Sequence, residues 1–275
     1  MALVTIAAVA ITLWLQPASV FIVRANSEVL VLKAAANQSP WFLSEVTISS
    51  EADTRVFRHI SLQVDEGTLV TMEREGKGPV HVMMERESQG AGQVVAAKAG
   101  SAEVATLFGS DGQAIGRLSS GTAISFRPGQ ALTSDAAGSL PVTGPLQVGS
   151  RLGSMSEPTL SLLLDGKVQI VGRSLLTNSA FDAGITELYE GDFIEMQAHG
   201  EPAWGVVRVA DSTGLRLIAQ TTARSVDVAR FRSSPAPLVA STLLRLQRDT
   251  TVQSLWAAIG FCWAFAKLLA RGKEA

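Results

Sequence analysis

Three histidines and several glycine-rich stretches are the first residues to consider for metal or nucleotide chemistry. His59, His81 and His199 have no cysteine near them, and the chain has no His-x-x-x-His or His-Glu-x-x-His spacing of the kind that binds zinc. No stretch has the Gly-x-Gly-x-x-Gly or Gly-x-x-x-x-Gly-Lys form that holds phosphates, and no Gly-x-Ser-x-Gly elbow occurs. The sequence therefore predicts neither a metal nor a cofactor.

Residues 153–160 form the sharpest motif, Gly-Ser-Met-Ser-Glu-Pro-Thr-Leu. It resembles the serine box of type I signal peptidases, Ser-Gly-Ser-Met-x-Pro-Thr-Leu, and the later Gly191-Asp192-Phe193-Ile194 resembles that family's Gly-Asp strand start. The resemblance covers residues 153–192 and implies a membrane-bound serine peptidase with Ser154 as the nucleophile. Such a serine needs a base within hydrogen-bond reach, and Lys167 is the only nearby lysine. A turn that leads into a strand is the alternative interpretation.

A second similarity is to FecR-type periplasmic signalling domains. These domains stack short strands around turns such as Ser110-Asp111-Gly112 and Leu164-Asp165-Gly166-Lys167-Val168. Asp-Gly between apolar residues is typical of tight hairpins. The similarity implies a single-span sensor that passes envelope signals inward.

Charge and cysteine content exclude two broad classes of protein. The 275 residues carry a formal net charge of -2, so no basic excess attracts nucleic acid. Cys262 is the only cysteine, so no intrachain disulfide can form. We expect no nucleic-acid partner and no disulfide scaffold.

An uncharged apolar stretch, Met1 to Val23, begins the chain. It is long enough to cross a bilayer core of ~30 Å as a helix, and Trp14 could lie at the headgroup level. We predict a transmembrane anchor helix over residues 1–23. A cleaved signal peptide and a buried segment outside the membrane are the alternatives.

A second uncharged stretch, Thr250 to Ala266, lies near the other end. We predict a second transmembrane helix over residues 250–270, preceded by an amphipathic helix over 238–248 that lies on the membrane surface or packs on the domain. The residues expected at the membrane interface here are Arg245, Arg248, Trp256, Lys267, Arg271 and Lys273.

The sequence between the two stretches alternates on a period of two and is interrupted by Gly, Pro, Ser and Asp, a pattern that indicates strands and turns. We predict a mainly β protein with two small sandwich or barrel-like subdomains, residues 27–98 and 99–233, and a possible linker at 133–144. Asp165-Gly166 and Ser212-Thr213-Gly214 are predicted turns.

The sequence favours a non-enzymatic, membrane-anchored β-domain protein of bacterial type that acts as a binding or assembly subunit, or as a sensor, of an envelope complex. Its expected partners are the lipid bilayer and other membrane or envelope proteins, with a homo-oligomer as one option. Lys267, Arg271 and Lys273 indicate cytoplasmic termini and an extracytoplasmic β domain. The alternatives are a membrane-bound serine peptidase and a membrane-perturbing effector whose helices associate at Gly260.

Overall fold

The structure is a computed structural model that describes residues 18–49, 53–86, 102–128, 131–132, 139–149, 162–174, 179–196, 201–209, 212–230, 233–241, 244 and 247–271. Nineteen strands and one long helix form in these residues, so the predicted mainly β class is confirmed. The strands are β1 (Ser19–Ser27), β2 (Val29–Lys33), β3 (Trp41–Ser49), β4 (Thr54–Val64), β5 (Thr68–Glu73), β6 (Val80–Arg86), β7 (Glu103–Phe108), β8 (Ala114–Ser119), β9 (Thr122–Phe126), β10 (Ala131–Leu132), β11 (Ser139–Thr143), β12 (Leu146–Val148), β13 (Leu163–Arg173), β14 (Ala180–Leu188), β15 (Phe193–Met196), β16 (Trp204–Arg208), β17 (Leu215–Ala223), β18 (Val226–Ala229) and β19 (Ala236–Leu238). The helix is α1 (Thr250–Arg271).

The strands make two antiparallel sheets. The first has six strands in the order β11-β16-β17-β1-β13-β14. The second has thirteen, in the order β19-β18-β15-β12-β2-β5-β6-β9-β3-β4-β7-β8, with β10 against β3. The first strand of the described chain therefore lies inside the six-stranded sheet, between strands from far along the sequence.

Strand β1 corrects the predicted N-terminal helix. Phe21, Val23 and Ala25 are buried, and the residues between them face the other side of the sheet. Antiparallel ladders with β13 and β17 use the backbone hydrogen bonds on both edges of this strand, so a helix that continues to Val23 is wrong for residues 19–23. The rest of that prediction, including Trp14, lies outside the described residues.

Helix α1 forms where the C-terminal apolar stretch predicts a helix. Its apolar side chains are interrupted by Gln253, Ser254 and Lys267. In the part of the chain that the structure describes, no helix is both long enough and apolar enough to cross a membrane. The two predicted flanking transmembrane helices are therefore not supported.

Strands from both predicted subdomains share the thirteen-stranded sheet. β4 pairs with β7 and β6 pairs with β9, across the proposed boundary at residues 98–99. Buried side chains of both sheets belong to one hydrophobic core. Part of the proposed linker, Ser139–Thr143, forms β11 against β16, and residues 133–138 lie outside the described residues. The division into two subdomains stays a prediction.

The chain crosses from one sheet to the other at Ser27–Val29. Ser27 Oγ donates to the Val29 carbonyl oxygen at 2.7 Å, and the Val29 N–H donates back to Ser27 Oγ at 3.2 Å. Gly214 packs against this crossing with a φ of +73°, and a Cβ there would lie 2.9 Å from the Ser27 carbonyl oxygen. Only glycine fits both the backbone conformation and the space.

A buried guanidinium joins the two sheets beside the crossing. Arg74, just after β5, is fully buried and donates from Nε to the Gly78 carbonyl oxygen at 3.0 Å. Its Nη1 donates to the carbonyl oxygens of Ser212 at 2.9 Å and Gly214 at 2.7 Å. The Arg74 backbone N–H donates to the Glu28 carbonyl oxygen at 2.8 Å. Because burying a charge is costly unless its hydrogens are bonded, these carbonyl oxygens must stay in place.

We expect Arg74→Met to lower the free energy of unfolding by about 3 kcal/mol, because three interior carbonyl oxygens lose their donor. Lys77 lies exposed in the same turn, and Lys77→Met is the matched control. It should change the free energy of unfolding by less than about 0.5 kcal/mol. Urea unfolding followed by circular dichroism measures both. Equal stability of Arg74→Met and the unmodified protein would contradict a joining role for this side chain.

Candidate functional site on the six-stranded sheet

An open groove of about 600 Å³ lies on the outer face of the six-stranded sheet. It extends over β14, β13, β1, β17 and β16. Four basic side chains line it, and we call them the basic band: Arg24, Lys167, Arg208 and Arg216. The groove is the candidate functional site because it gathers charges from four different strands.

Strand register explains why these four residues meet. Arg24 on β1 lies opposite Lys167 on β13, and Arg216 on β17 lies opposite Arg208 on β16. Neighbouring strands are about 4.8 Å apart, so each pair holds two like charges side by side. Arg24 also lies opposite Ile218 on β17, two residues from Arg216. The basic band therefore runs diagonally across four adjacent strands.

The side chains of the basic band form no ion pair among the described residues, although Glu187 on β14 lies opposite Lys167. All four side chains are exposed. Exposed arginines of the thirteen-stranded sheet do have carboxylate partners, in the pairs Arg55–Asp53, Arg58–Glu45 and Arg117–Glu103. Like charges directly opposite each other destabilise a sheet, so we expect the pairs Arg24–Lys167 and Arg208–Arg216 to oppose the stability of the fold.

The carboxyl group of Asp53 shows what such pairing does. Its pKa is lowered by a hydrogen bond from the Arg55 side chain, then by one from the Thr54 N–H and by the nearby positive charge of Arg55. Asp53 lies next to β4, on the thirteen-stranded sheet, so this effect does not reach the groove.

Large apolar side chains accompany the basic band. Trp204 on β16 is 57% exposed, and Ile185, Tyr189 and Ile218 are also exposed. Tyr189 and Ile218 line the groove itself. Trp, Tyr and Arg are enriched among the residues that dominate binding energy at protein interfaces. The composition of this face is therefore that of a recognition surface.

The Tyr189 end of the groove is held by a buried carboxylate. Asp192 is buried and its Oδ2 accepts the Tyr189 backbone N–H at 3.0 Å. Arg230 pairs with Asp192, and its guanidinium carbon lies 5.4 Å from the centre of the Tyr189 ring. Arg230 Nη1 also donates to the Glu187 carbonyl oxygen at 3.0 Å. Asp192 of the peptidase-like Gly191-Asp192 pair thus fixes a turn that borders the groove.

The residues of the alternative peptidase interpretation, Ser154 and Lys167, and the three histidines are only partly described. Ser154 and His199 lie outside the described residues, so the peptidase role of Ser154 stays a prediction. Lys167 lies in the groove, exposed on β13. His59 and His81 are exposed on different strands, and His59 has a φ of 50°. Within the described ranges, no three His, Cys, Asp or Glu side chains gather as a metal site requires.

Four of the residues predicted for the membrane interface, Arg248, Trp256, Lys267 and Arg271, belong to the part of the chain that the structure describes. Arg248 is half exposed and forms an ion pair with Asp182 on β14 at 3.3 Å. Trp256 is exposed on α1, Lys267 lies over the Trp263 ring at 4.2 Å from its centre, and Arg271 is the last residue of α1. The members outside the described residues are Trp14, Arg245 and Lys273. A membrane role for all of these residues stays a prediction.

No protein-family model, curated protein or solved structure matches this chain. The site is therefore interpreted from its own geometry.

Sequence reasoning missed Arg24, Arg208, Arg216 and Trp204. Each occupies an outward position of a strand, which period-two alternation can indicate, but the strand order that brings them together cannot be read from alternation alone.

We expect the double substitution Arg24→Gln with Arg208→Gln to raise the free energy of unfolding by about 0.5–1 kcal/mol at low salt, because each change relieves one pair of like charges. The gain should shrink at about 1 M salt, where the screening length falls to about 3 Å. Arg117→Gln is the control, because Arg117 has a carboxylate partner, and it should give no gain. Urea unfolding at both salt concentrations measures the effect. A double variant less stable than the unmodified protein would show that the four charges support the fold.

Proposed function

We propose that this protein is a non-enzymatic binding or assembly subunit of a membrane-associated complex, held at the lipid by α1. The supporting observation is the apolar surface of α1. The side chains at residues 253–258 and 260–265 are exposed, among them Leu255, Trp256, Phe261, Trp263 and Phe265. Contiguous apolar surface of this kind marks a contact with protein or lipid.

The first turn of α1 attaches the helix to the end of the six-stranded sheet. Asp249 is buried, and Ser174 Oγ, next to β13, donates to Asp249 Oδ1 at 2.8 Å. The Gln253 N–H donates to the Asp249 carbonyl oxygen at 2.9 Å, which closes the first helical turn. Val252 in this turn is also buried. The helix is therefore fixed at its start and exposed beyond it.

Aromatic and basic residues favour lipid as the environment of the exposed turns. Indole side chains such as Trp256 and Trp263 concentrate at the headgroup level of membranes. The Lys267 ammonium lies 4.2 Å from the centre of the Trp263 ring, and its long stem can cover apolar surface while the charge stays in water. In this proposal α1 embeds its apolar side chains in the lipid, with Lys267 and Arg271 at the headgroups.

The β body supplies recognition in this proposal. Its six-stranded sheet presents arginines, a tryptophan and a tyrosine on one exposed face. These side chains offer strong contacts to a partner without any chemical step. An assembly subunit that is held at the membrane by α1 would meet its partners through this face.

We expect Phe261→Glu to weaken binding to vesicles. Phe261 is 74% exposed on α1. Burial of its ring in lipid contributes about 2 kcal/mol, and a buried carboxylate costs about 2.5 kcal/mol or more, so partitioning should fall at least about a hundredfold. Flotation with vesicles of phosphatidylcholine and phosphatidylglycerol measures this.

Phe42→Glu is the matched control, because Phe42 is also exposed but lies on β3 of the body. It should float like the unmodified protein. If the unmodified protein does not float with the vesicles, or if Phe261→Glu floats equally well, α1 does not hold the protein at lipid.

A further inference from the structure

We propose that the basic band binds an extended acidic segment of a partner protein, in which two carboxylates lie about four residues apart. This proposal does not depend on the role of α1. It rests on the charge, the spacing and the apolar neighbours of the groove.

The groove is positive on a chain that is negative as a whole. Four basic side chains, the basic band, and two acidic ones, Asp165 and Glu187, line it, which leaves an excess of two positive charges. The whole chain has a formal net charge of -2. Interactions between exposed charges persist over about 8 Å at physiological salt, so the groove attracts anions that come close to it.

The spacing of the charges suits a segment rather than a single small anion. Arg24 with Lys167 makes one pair of charges, and Arg208 with Arg216 makes the other. From strand spacing and residue rise, the centres of the two pairs are about 12 Å apart. An extended peptide covers that distance in about four residues. Each pair can then hold one carboxylate, to which guanidinium groups donate two parallel hydrogen bonds.

The neighbours of the basic band favour a protein segment over a phosphate polymer. Ile218 lies opposite Arg24 inside the groove, and Trp204 is exposed on the adjacent strand β16, so the face can hold apolar side chains of a segment beside its carboxylates. Asp165 and Glu187 border the groove and would repel a continuous row of phosphates. Both features suit an extended peptide that carries an apolar residue midway between two acidic ones, because residues two apart face the same side.

The position of the groove also argues against lipid headgroups as its ligand. Strand β13 carries Lys167 in the groove and ends next to Ser174, which bonds the start of α1. The seven residue steps from Lys167 to Ser174 span about 23 Å of strand. The groove and the attachment point of α1 therefore lie toward opposite ends of β13.

The test uses the full chain and a labelled peptide, acetyl-Thr-Glu-Thr-Val-Thr-Glu-Thr-amide, whose glutamates are four residues apart with valine on the same face. Fluorescence anisotropy at low salt should show binding that weakens as salt is added. The matched peptide with glutamine at both glutamate positions should bind at least about tenfold more weakly.

Charge-reversal variants locate the binding. Arg24→Glu and Arg216→Glu should each weaken binding of the acidic peptide at least about tenfold, because each replaces an attraction by a repulsion. Arg117→Glu changes an exposed arginine on β8 of the other sheet and should leave binding within about twofold. Unfolding midpoints of all three variants confirm that they fold.

Three results would overturn the proposal. The first is equal binding of the acidic and glutamine peptides, or binding of neither. The second is unchanged binding by folded Arg24→Glu and Arg216→Glu. The third comes from a competition experiment with the Phe261→Glu protein. If oligothymidylate or phosphatidylglycerol vesicles displace the labelled peptide at a lower concentration than the unlabelled peptide does, the groove binds phosphate rather than carboxylate. If the unmodified protein did not float with vesicles, the role of α1 would be contradicted but this proposal would not.

Discussion

The buried guanidinium of Arg74 determines how the two sheets meet. Its Nη1 binds carbonyl oxygens 138 and 140 residues further along the chain, and nothing nearer in the sequence could replace those acceptors. A charge in the interior is costly unless it is hydrogen-bonded, so the Nη1 bonds to the Ser212 and Gly214 carbonyl oxygens restrain the loop at residues 212–214. Gly214 then touches the Ser27 carbonyl oxygen, where the chain changes sheets.

The position of the loop at residues 212–214 affects the groove through β17. The strand begins at Leu215, directly after Gly214, and it carries Arg216 and Ile218 on its outward face. Side chains alternate between the two faces of a strand, so a shift of one residue would turn Arg216 into the core and Leu217 into water. Such a shift would bury an unpaired charge. The contact at Gly214 therefore fixes the register on which the basic band depends.

Local chemistry in the sequence predicts the β class and some of the turns. Gly112, after Ser110-Asp111, has a positive φ in the turn between β7 and β8, as an Asp-Gly hairpin signal indicates. The same signal fails at Asp165-Gly166, which lies inside β13 rather than at a turn. Here Gly166 allows β13 and β1 to approach closely, because a Cβ on this residue would lie 2.8 Å from the Arg24 carbonyl oxygen. A dipeptide alone cannot distinguish these two uses of glycine.

Two further features depend on information that the sequence pattern does not carry. The sequence of β1 predicts a helix because Val20 and Ile22, on the face opposite to Phe21 and Val23, are also apolar. The period-two alternation of polar and apolar residues that indicates a strand is therefore not visible. The basic band needs the strand order of the sheet, which is set by the crossing at Ser27–Val29 and the loop at Gly214, far apart in sequence. Charge counts along the chain show none of this, because the net charge is negative while the groove is positive.

Strand β13 links the two proposed contact sites in one rigid element. It is hydrogen-bonded to β1 on one side and β14 on the other, so its length is held by two ladders. Lys167 lies in the groove near its start, and Ser174, just after its end, bonds the buried Asp249 before α1. Lys167 in the groove is thus about 23 Å of strand from Ser174, which bonds the residue before the helix. In the proposed assembly β13 therefore connects the partner-binding groove with the point at which α1 is attached to the sheet.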